Sequence, residues 1–338
     1  MQINPNINQF HRKTQRSSAE FVTGILEGNR VLMSQAITLI ESTNVAHEAK
    51  AQSIIEACLP YSGKSIRIGI TGTPGVGKST FIENFGLELI KKGRRVAVLA
   101  IDPSSQVNRG SILGDKTRMM HLSLKDEAYI RPSAAGENLG GVARKTRESI
   151  IICEAAGFDV VIIETVGVGQ SEVAVHSMVD FFLLLLLPGA GDELQGIKRG
   201  IVEMADLIAI NKADEDRMLL AKQARAAYAN ALHLYPGKES NWTAQAVLCS
   251  ALSRFGLEDI WSLITDYQRL MTESGYFEKH RKQQAKYWLY EAIQQQLQQR
   301  FFEDEYVKNN LTNIENAVTN GTLSPFLAAE MLVGKMGE

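Results

Sequence analysis

Eight consecutive residues, Gly72-Thr73-Pro74-Gly75-Val76-Gly77-Lys78-Ser79, fit the pattern GxxxxGK[ST], and Thr80 follows them. Each residue type has a chemical reason to be there. The glycines let backbone N–H groups converge on phosphate oxygens, Lys78 neutralises the outer phosphates, and the Ser79 hydroxyl is a hard oxygen donor for Mg²⁺. An apolar run, Ile66 to Thr71, leads into the loop and a helical pattern, Lys78 to Lys92, leads out of it. That setting puts a helix N-terminus, with its positive potential, behind the phosphates. A glycine-rich turn that binds nothing needs neither flank.

Asn211-Lys212-Ala213-Asp214 closes another apolar run about 130 residues downstream. A carboxylate at Asp214 can accept hydrogen bonds from both N1–H and the 2-amino group of guanine. Adenine offers no such pair and would leave buried groups unsatisfied. Alone this pattern is weak; with the phosphate loop, and with Cys249-Ser250-Ala251 after the next strand, it points to GTP rather than ATP. The strand Val160 to Ile163 ends in Glu164-Thr165-Val166-Gly167. There Glu164 can hold the Mg²⁺ shell through water, and the Gly167 N–H can reach the γ-phosphate. Asp102, at the end of the second strand, and Asp115 are the other carboxylates placed to meet the cation. The polar, glycine-rich stretch Pro188 to Gly200 is too long for a simple turn; it is either a mobile surface loop or one that rearranges with the γ-phosphate, in which case Lys198 or Arg199 could supply transition-state charge.

The elements that must position these loops follow from apolar periodicity. Between Ser65 and about Leu270, short β-branched runs alternate with helical stretches, the signature of βαβ units around a parallel sheet. Strands are expected at Ile66 to Thr71, Arg95 to Ile101, Ala128 to Arg131, Val160 to Glu164, Phe181 to Leu187, Leu207 to Asn211 and Ala246 to Cys249. Helices are expected at Lys78 to Lys92, Val142 to Ala156 and Glu215 to Leu232. Residues 17–60 carry a three-and-four helical spacing and form an N-terminal cap. Past Tyr276 the chain turns Gln-rich and charged, with Trp288, Ala292, Ile293, Leu297 and Phe301 on one face of a helical segment that Gly321 stops; Ser324-Pro325 then caps a last helix.

Composition narrows the partners. The 338 residues carry 36 Lys plus Arg against 38 Asp plus Glu, a net charge of -2, so no basic excess points to nucleic acid or an anionic membrane. The longest apolar run, Phe181 to Leu187, is far short of the roughly 20 residues of a spanning helix. Cys58, Cys153 and Cys249 stand apart with no CxxC, which fits a reducing cytoplasm and no cysteine metal cluster. The six histidines are scattered and suggest no protein metal centre.

Taken together, GTPGVGKST at 72–80, AIDPSS at 100–105, RGSILGDKTRM at 109–119, ETVGVGQSE at 164–172, LLPGAGDELQGIKRGI and NKAD resemble the MeaB/ArgK family of GTPases over nearly the whole chain. The resemblance implies a P-loop NTPase of α/β class with a mostly parallel central sheet flanked by helices. It implies an N-terminal helical extension (1–62), a GTPase domain (63–272) and a C-terminal helical dimerisation arm (273–338). It further implies a slow, partner-stimulated GTP hydrolase, binding GTP or GDP with Mg²⁺. Its client would be adenosylcobalamin-dependent methylmalonyl-CoA mutase, whose cofactor loading and release it gates and which it protects from inactivation. Residue by residue, Gly72 to Thr80, Gly167, Asn211, Lys212, Asp214, Ser250 and Ala251 would bind the nucleotide, and Ser79, Asp102, Asp115 and Glu164 the Mg²⁺. Lys78, Glu164 and Lys198 would act in hydrolysis, and Asp192, Gln195 and Lys198 would relay partner binding to the nucleotide. The rival readings are a metal-delivering GTPase, which should carry a Cys- or His-rich ligand set, an ATP-dependent kinase of periplasmic amino-acid transport, and a non-catalytic scaffold.

Overall fold

Seven strands of the described residues form one sheet: β1 (Ile66–Gly72), β2 (Val96–Ile101), β3 (Ala128–Arg131), β4 (Val160–Thr165), β5 (Phe181–Leu186), β6 (Leu207–Ile210) and β7 (Gln245–Leu248). This computed structural model describes residues 16–101, 119–132, 139–165, 171–189, 199–214 and 216–335. The spatial order is β3-β2-β4-β1-β5-β6-β7, and every pairing is parallel. Parallel strands are covered by helices on both faces, which is why β1, β2, β4, β5 and β6 are buried at every position. The edge strand β7 is only partly covered. The P-loop α/β class expected from the sequence is therefore the observed one, and strand limits agree with expectation to within about one residue.

The helices in chain order are α1 (Ser18–Leu26), α2 (Arg30–Glu41), α3 (Val45–Cys58), α4 (Lys78–Lys91), α5 (Met120–Ser123), α6 (Leu139–Ala155), α7 (Ser171–His176), α8 (Arg199–Met204), α9 (Met218–Leu232), α10 (Leu257–Glu273), α11 (Tyr276–Glu303), α12 (Glu305–Thr319) and α13 (Pro325–Gly334). The first three are punctuated by their own caps. Ser17 and Glu20 form a reciprocal capping box, and the side chains of Asn29 and Asn44 accept from the first turns of α2 and α3. Glu41 pairs with Arg131 at the end of β3, and Lys145 of α6 donates to the Glu41 carbonyl at 2.6 Å, fastening the cap to the sheet unit.

One core lies between the sheet and helices α4 and α10. Leu257, Ile260, Trp261, Ile264, Tyr267 and Met271 recur on a single face of α10 and are buried against Phe81 and Phe85 of α4 and Phe181 of β5. A charge inside β1 breaks the apolar rule. Arg67 is held by Glu154 of α6 in a two-pronged pair, 2.8 Å at Nε and 2.9 Å at Nη2, and the same carboxylate accepts from Ser65 Oγ and Gly63 N–H. Such a pair fixes register, and losing either partner would strand a buried charge at a cost of about 3–5 kcal/mol.

Three expectations need correction, and the first is that α6 opens at Leu139, not Val142. The helix after Asp214 opens at Met218, not Glu215, and the single segment expected from Tyr276 to Gly321 is two helices. Asp304 interrupts it by accepting from Val307 N–H at 3.1 Å as the N-cap of α12. The chain forms two compact units, Met1–Phe277 and Glu278–Glu338. Within the second, Leu289, Ile293, Leu297 and Phe302 of α11 are exposed, and Ser324 caps α13 with Pro325 as its first residue.

Candidate nucleotide site

β1 delivers the phosphate loop at the C-terminal edge of the sheet, and α4 begins at Lys78 with no side chain capping its first turn. Its N–H groups are thus left for an anion. Two loop glycines are required by space and conformation. A Cβ on Gly72 would lie 2.4 Å from the Leu185 carbonyl oxygen, and Gly77 has φ +93° with the Asn211 amide 3.1 Å from where its Cβ would stand. Lys78 folds back on its own loop, donating to the Gly72 carbonyl at 2.6 Å and the Thr73 carbonyl at 3.4 Å. Burial lowers the Lys78 pKa from its ordinary value, and the charges of Glu164 and Glu172 oppose that shift.

The stretches 211–212 and 249–251, expected on the base side, are tied to one another and to the glycine-rich loop 72–79. Asn211, 1% exposed, donates from Nδ2 to the Val76 carbonyl at 2.8 Å, while its Oδ1 accepts from Ala251 N–H at 2.9 Å and from the Cys249 thiol at 3.7 Å. Lys212 donates to the Gly75 carbonyl at 2.8 Å. The Ser250 hydroxyl donates to Asp214 Oδ1 at 2.5 Å, and Ala213 N–H bonds the Cys249 carbonyl at 3.0 Å. Three separate stretches of sequence, 72–79, 211–214 and 249–251, therefore converge at one edge of the sheet. A carboxylate oriented in this way can accept paired N–H donors, and the loop N–H groups and Lys78 can bind phosphates.

Glu164 lies at the end of β4, 5% exposed, in register with Ile70 of β1 and Ala100 of β2. Its neighbour Thr165 donates its hydroxyl to Thr71 at 2.8 Å, locking β4 to β1 at the base of the loop. The hydroxyl of Ser79 and the carboxylate of Glu164 are hard oxygen donors of the kind that would suit Mg²⁺. No group of three or more His, Cys, Asp or Glu side chains that could hold a metal occurs among the described residues. Asp102, Asp115, Gly167, Asp192, Gln195 and Lys198 lie outside the described residues. Sequence reasoning gave no role to Glu172, which is fully buried in α7 and electrostatically coupled to Lys78. The signal was the second acid of ETVGVGQSE, whose burial no spacing rule reveals.

Comparison with known proteins bears on this geometry. The family description "Methylmalonyl Co-A mutase-associated GTPase MeaB" matches residues 33–306. The chain belongs to the MeaB family of GTPases. It is 46% identical to "GTPase ArgK" of Escherichia coli, covering 91% of this chain and 93% of that one. It is 44% identical to the "Methylmalonic aciduria type A homolog, mitochondrial" of Mus musculus, covering 95% of this chain and 80% of the relative. A solved structure titled "Crystal structure of LAO/AO transport system kinase" superimposes with a TM-score of 0.75 at 39% identity over 94% of this chain and 96% of the other.

As a MeaB-family GTPase the chain binds guanine nucleotide and hydrolyses GTP. The match takes in the three stretches 72–79, 211–214 and 249–251 that converge at one edge of the sheet. No helix among the described residues is long and apolar enough to cross a membrane.

Proposed function

We propose that this GTPase is a nucleotide-driven switch serving an adenosylcobalamin-dependent methylmalonyl-CoA mutase, gating loading and release of the mutase cofactor and protecting the mutase from inactivation. The observation that carries this reading is the match of residues 33–306 to a mutase-associated GTPase family, on a chain whose base-side loops are already hydrogen-bonded to its phosphate loop. Guanine lies against Asp214, with Ser250 and Ala251 beside it. The phosphates take the N–H groups of Gly72 to Thr80, and Lys78 exchanges its own loop carbonyls for phosphate oxygens. Ser79 with Glu164, Asp102 and Asp115 would hold Mg²⁺, which would supply charge neutralisation at the transferring phosphoryl group.

Gly167 senses the γ-phosphate, and Asp192, Gln195 and Lys198 carry the partner's signal to it. Water attacks the γ-phosphorus in line, the bond to the β–γ bridging oxygen breaks, and GDP leaves with Lys78 countering the charge that develops on it. The protein acts as a homodimer through residues 273–338, whose exposed apolar side chains on α11 support a helical interface. Its compartment is the cytoplasm, where three buried free cysteines stay reduced.

The test mixes the protein with methylmalonyl-CoA mutase and its cofactor, and follows phosphate release and cofactor transfer. Stimulated hydrolysis is expected, by about 10³- to 10⁵-fold where assistance is of the kind seen in other partner-assisted GTPases. Lys198→Ala should keep GTP affinity while losing the stimulation. A rate indifferent to the mutase would refute the switch reading, and a stimulated rate unchanged in Lys198→Ala would remove Lys198 from the relay.

A further inference from the structure

Among the described residues three non-glycines hold a left-handed backbone: Lys212 at φ +58°, Asn241 at φ +57° and Arg254 at φ +66°. Asparagine tolerates that region, whereas a long side chain pays about 1–2 kcal/mol for it. An observed strain of this kind asks what the side chain does in return. Both cations stand on base-side loops, and both reach across to the phosphate side. Lys212 donates to Gly75 in the phosphate loop itself at 2.8 Å. Arg254 donates from Nε to Asn84 Oδ1 at 3.1 Å and from Nη1 to Glu88 Oε1 at 3.1 Å, both on α4, the helix that opens with Lys78.

The contact closes on itself. Asn84, with its oxygen held by Arg254, turns its Nδ2 to the Ala251 carbonyl at 2.9 Å. The loop between is internally tied, Ser250 N–H to the Phe255 carbonyl at 3.0 Å and Ser253 N–H to Ser250 Oγ at 3.1 Å, so it moves as one piece with the hydroxyl that orients Asp214.

We propose that Arg254 is a positioning residue for nucleotide binding: through Asn84 and Glu88 it locks the loop 250–256 to α4 and so holds the base and phosphate subsites at one fixed separation. A ligand that spans two subsites loses affinity for every freedom they keep relative to one another. The ion pair itself is half-exposed, with side-chain exposures of 42% and 26%, and as a fold stabiliser it is worth little. Its contribution belongs to binding. The proposal rests on the base-side reading of Asp214, Ser250 and Ala251.

The experiment uses the full chain with Arg254→Gly, which keeps the left-handed backbone and removes the clamp, and Glu88→Ala, which removes one anchor without touching the loop. KM and kcat for GTP, the Kd of GDP and inhibition by inorganic tripolyphosphate, which needs only the phosphate side, are measured in each. For Arg254→Gly, GTP KM and GDP Kd should rise about tenfold with kcat within about twofold and tripolyphosphate inhibition unchanged. Glu88→Ala should show the same pattern at a smaller amplitude. A GTP KM within about twofold of the parent in both variants, or an equal weakening of tripolyphosphate, overturns the proposal. If Asp214→Asn shifts preference to xanthine nucleotides while the clamp variants bind normally, the clamp alone fails. If Asp214→Asn leaves guanine binding untouched, the base-side reading fails with it.

Discussion

On the base side of the site, Asn211 joins the phosphate loop to Ala251, and Ser250 already aims the Asp214 carboxylate. On the phosphate side, Lys78 spends its ammonium on the carbonyls of its own loop, and the buried Thr73 hydroxyl finds no hydrogen-bond partner among the described residues. One side is preformed and the other must exchange contacts to bind. The difference suits the two tasks. GTP and GDP share a base, so its recognition has no reason to change during a cycle, whereas the phosphates are what the cycle alters and what a responsive loop must register.

The largest effect should come from breaking the responsive side. Lys78→Ala is expected to lower GTP hydrolysis by about 10²–10³-fold, read as single-turnover phosphate release, because it removes the positive charge that Lys78 would bring to the transferring group. A loss of less than about tenfold would mean that Lys78 does not meet the phosphates. The preformed side should give a milder, purely binding phenotype. Ser250→Ala leaves Asp214 without its orienting hydroxyl, a charged hydrogen bond of roughly 1.5–3 kcal/mol, so GTP and GDP should both weaken by about tenfold or more while tripolyphosphate inhibition is unmoved. Equal weakening of tripolyphosphate would blur the division between the two sides.

The smallest effect is a matter of pH. Burial, and then the nearby Asp214 charge, push the Cys249 thiol from 9.0 up to about 12. A group whose folded pKa is raised stabilises the fold fully below its unfolded value and loses that contribution as pH climbs through the folded one. Stability from Cys249 should therefore hold below pH 9.0 and erode between there and about 12. Iodoacetamide at neutral pH should leave this cysteine unlabelled until the protein unfolds, and ready labelling of native protein would show the base-side loop to be open.

Much of this was legible in the sequence because it is local. Ile66 to Thr71 and Phe181 to Leu187 read as buried strands since continuous apolar runs have few other fates, and GTPGVGKST carries its chemistry in nine adjacent residues. What could not be read is what depends on remote partners. Arg67 looks like an error in a core strand until Glu154 arrives from α6. Nothing near Arg254 announces a left-handed backbone, because its reward, Asn84 and Glu88, lies about 170 residues earlier in the chain. Asp304 gives no signal in the sequence because one capping hydrogen bond inside a Gln-rich helical pattern leaves the apolar periodicity intact.

The most direct test of the account is the nucleotide preference of Asp214→Asn in the presence of the mutase. An amide offers guanine a donor where the carboxylate offered an acceptor, and it suits xanthine instead. Mutase-stimulated hydrolysis should transfer from GTP to xanthosine triphosphate, with the stimulation itself preserved. Undiminished, mutase-stimulated hydrolysis of GTP by this variant would contradict it.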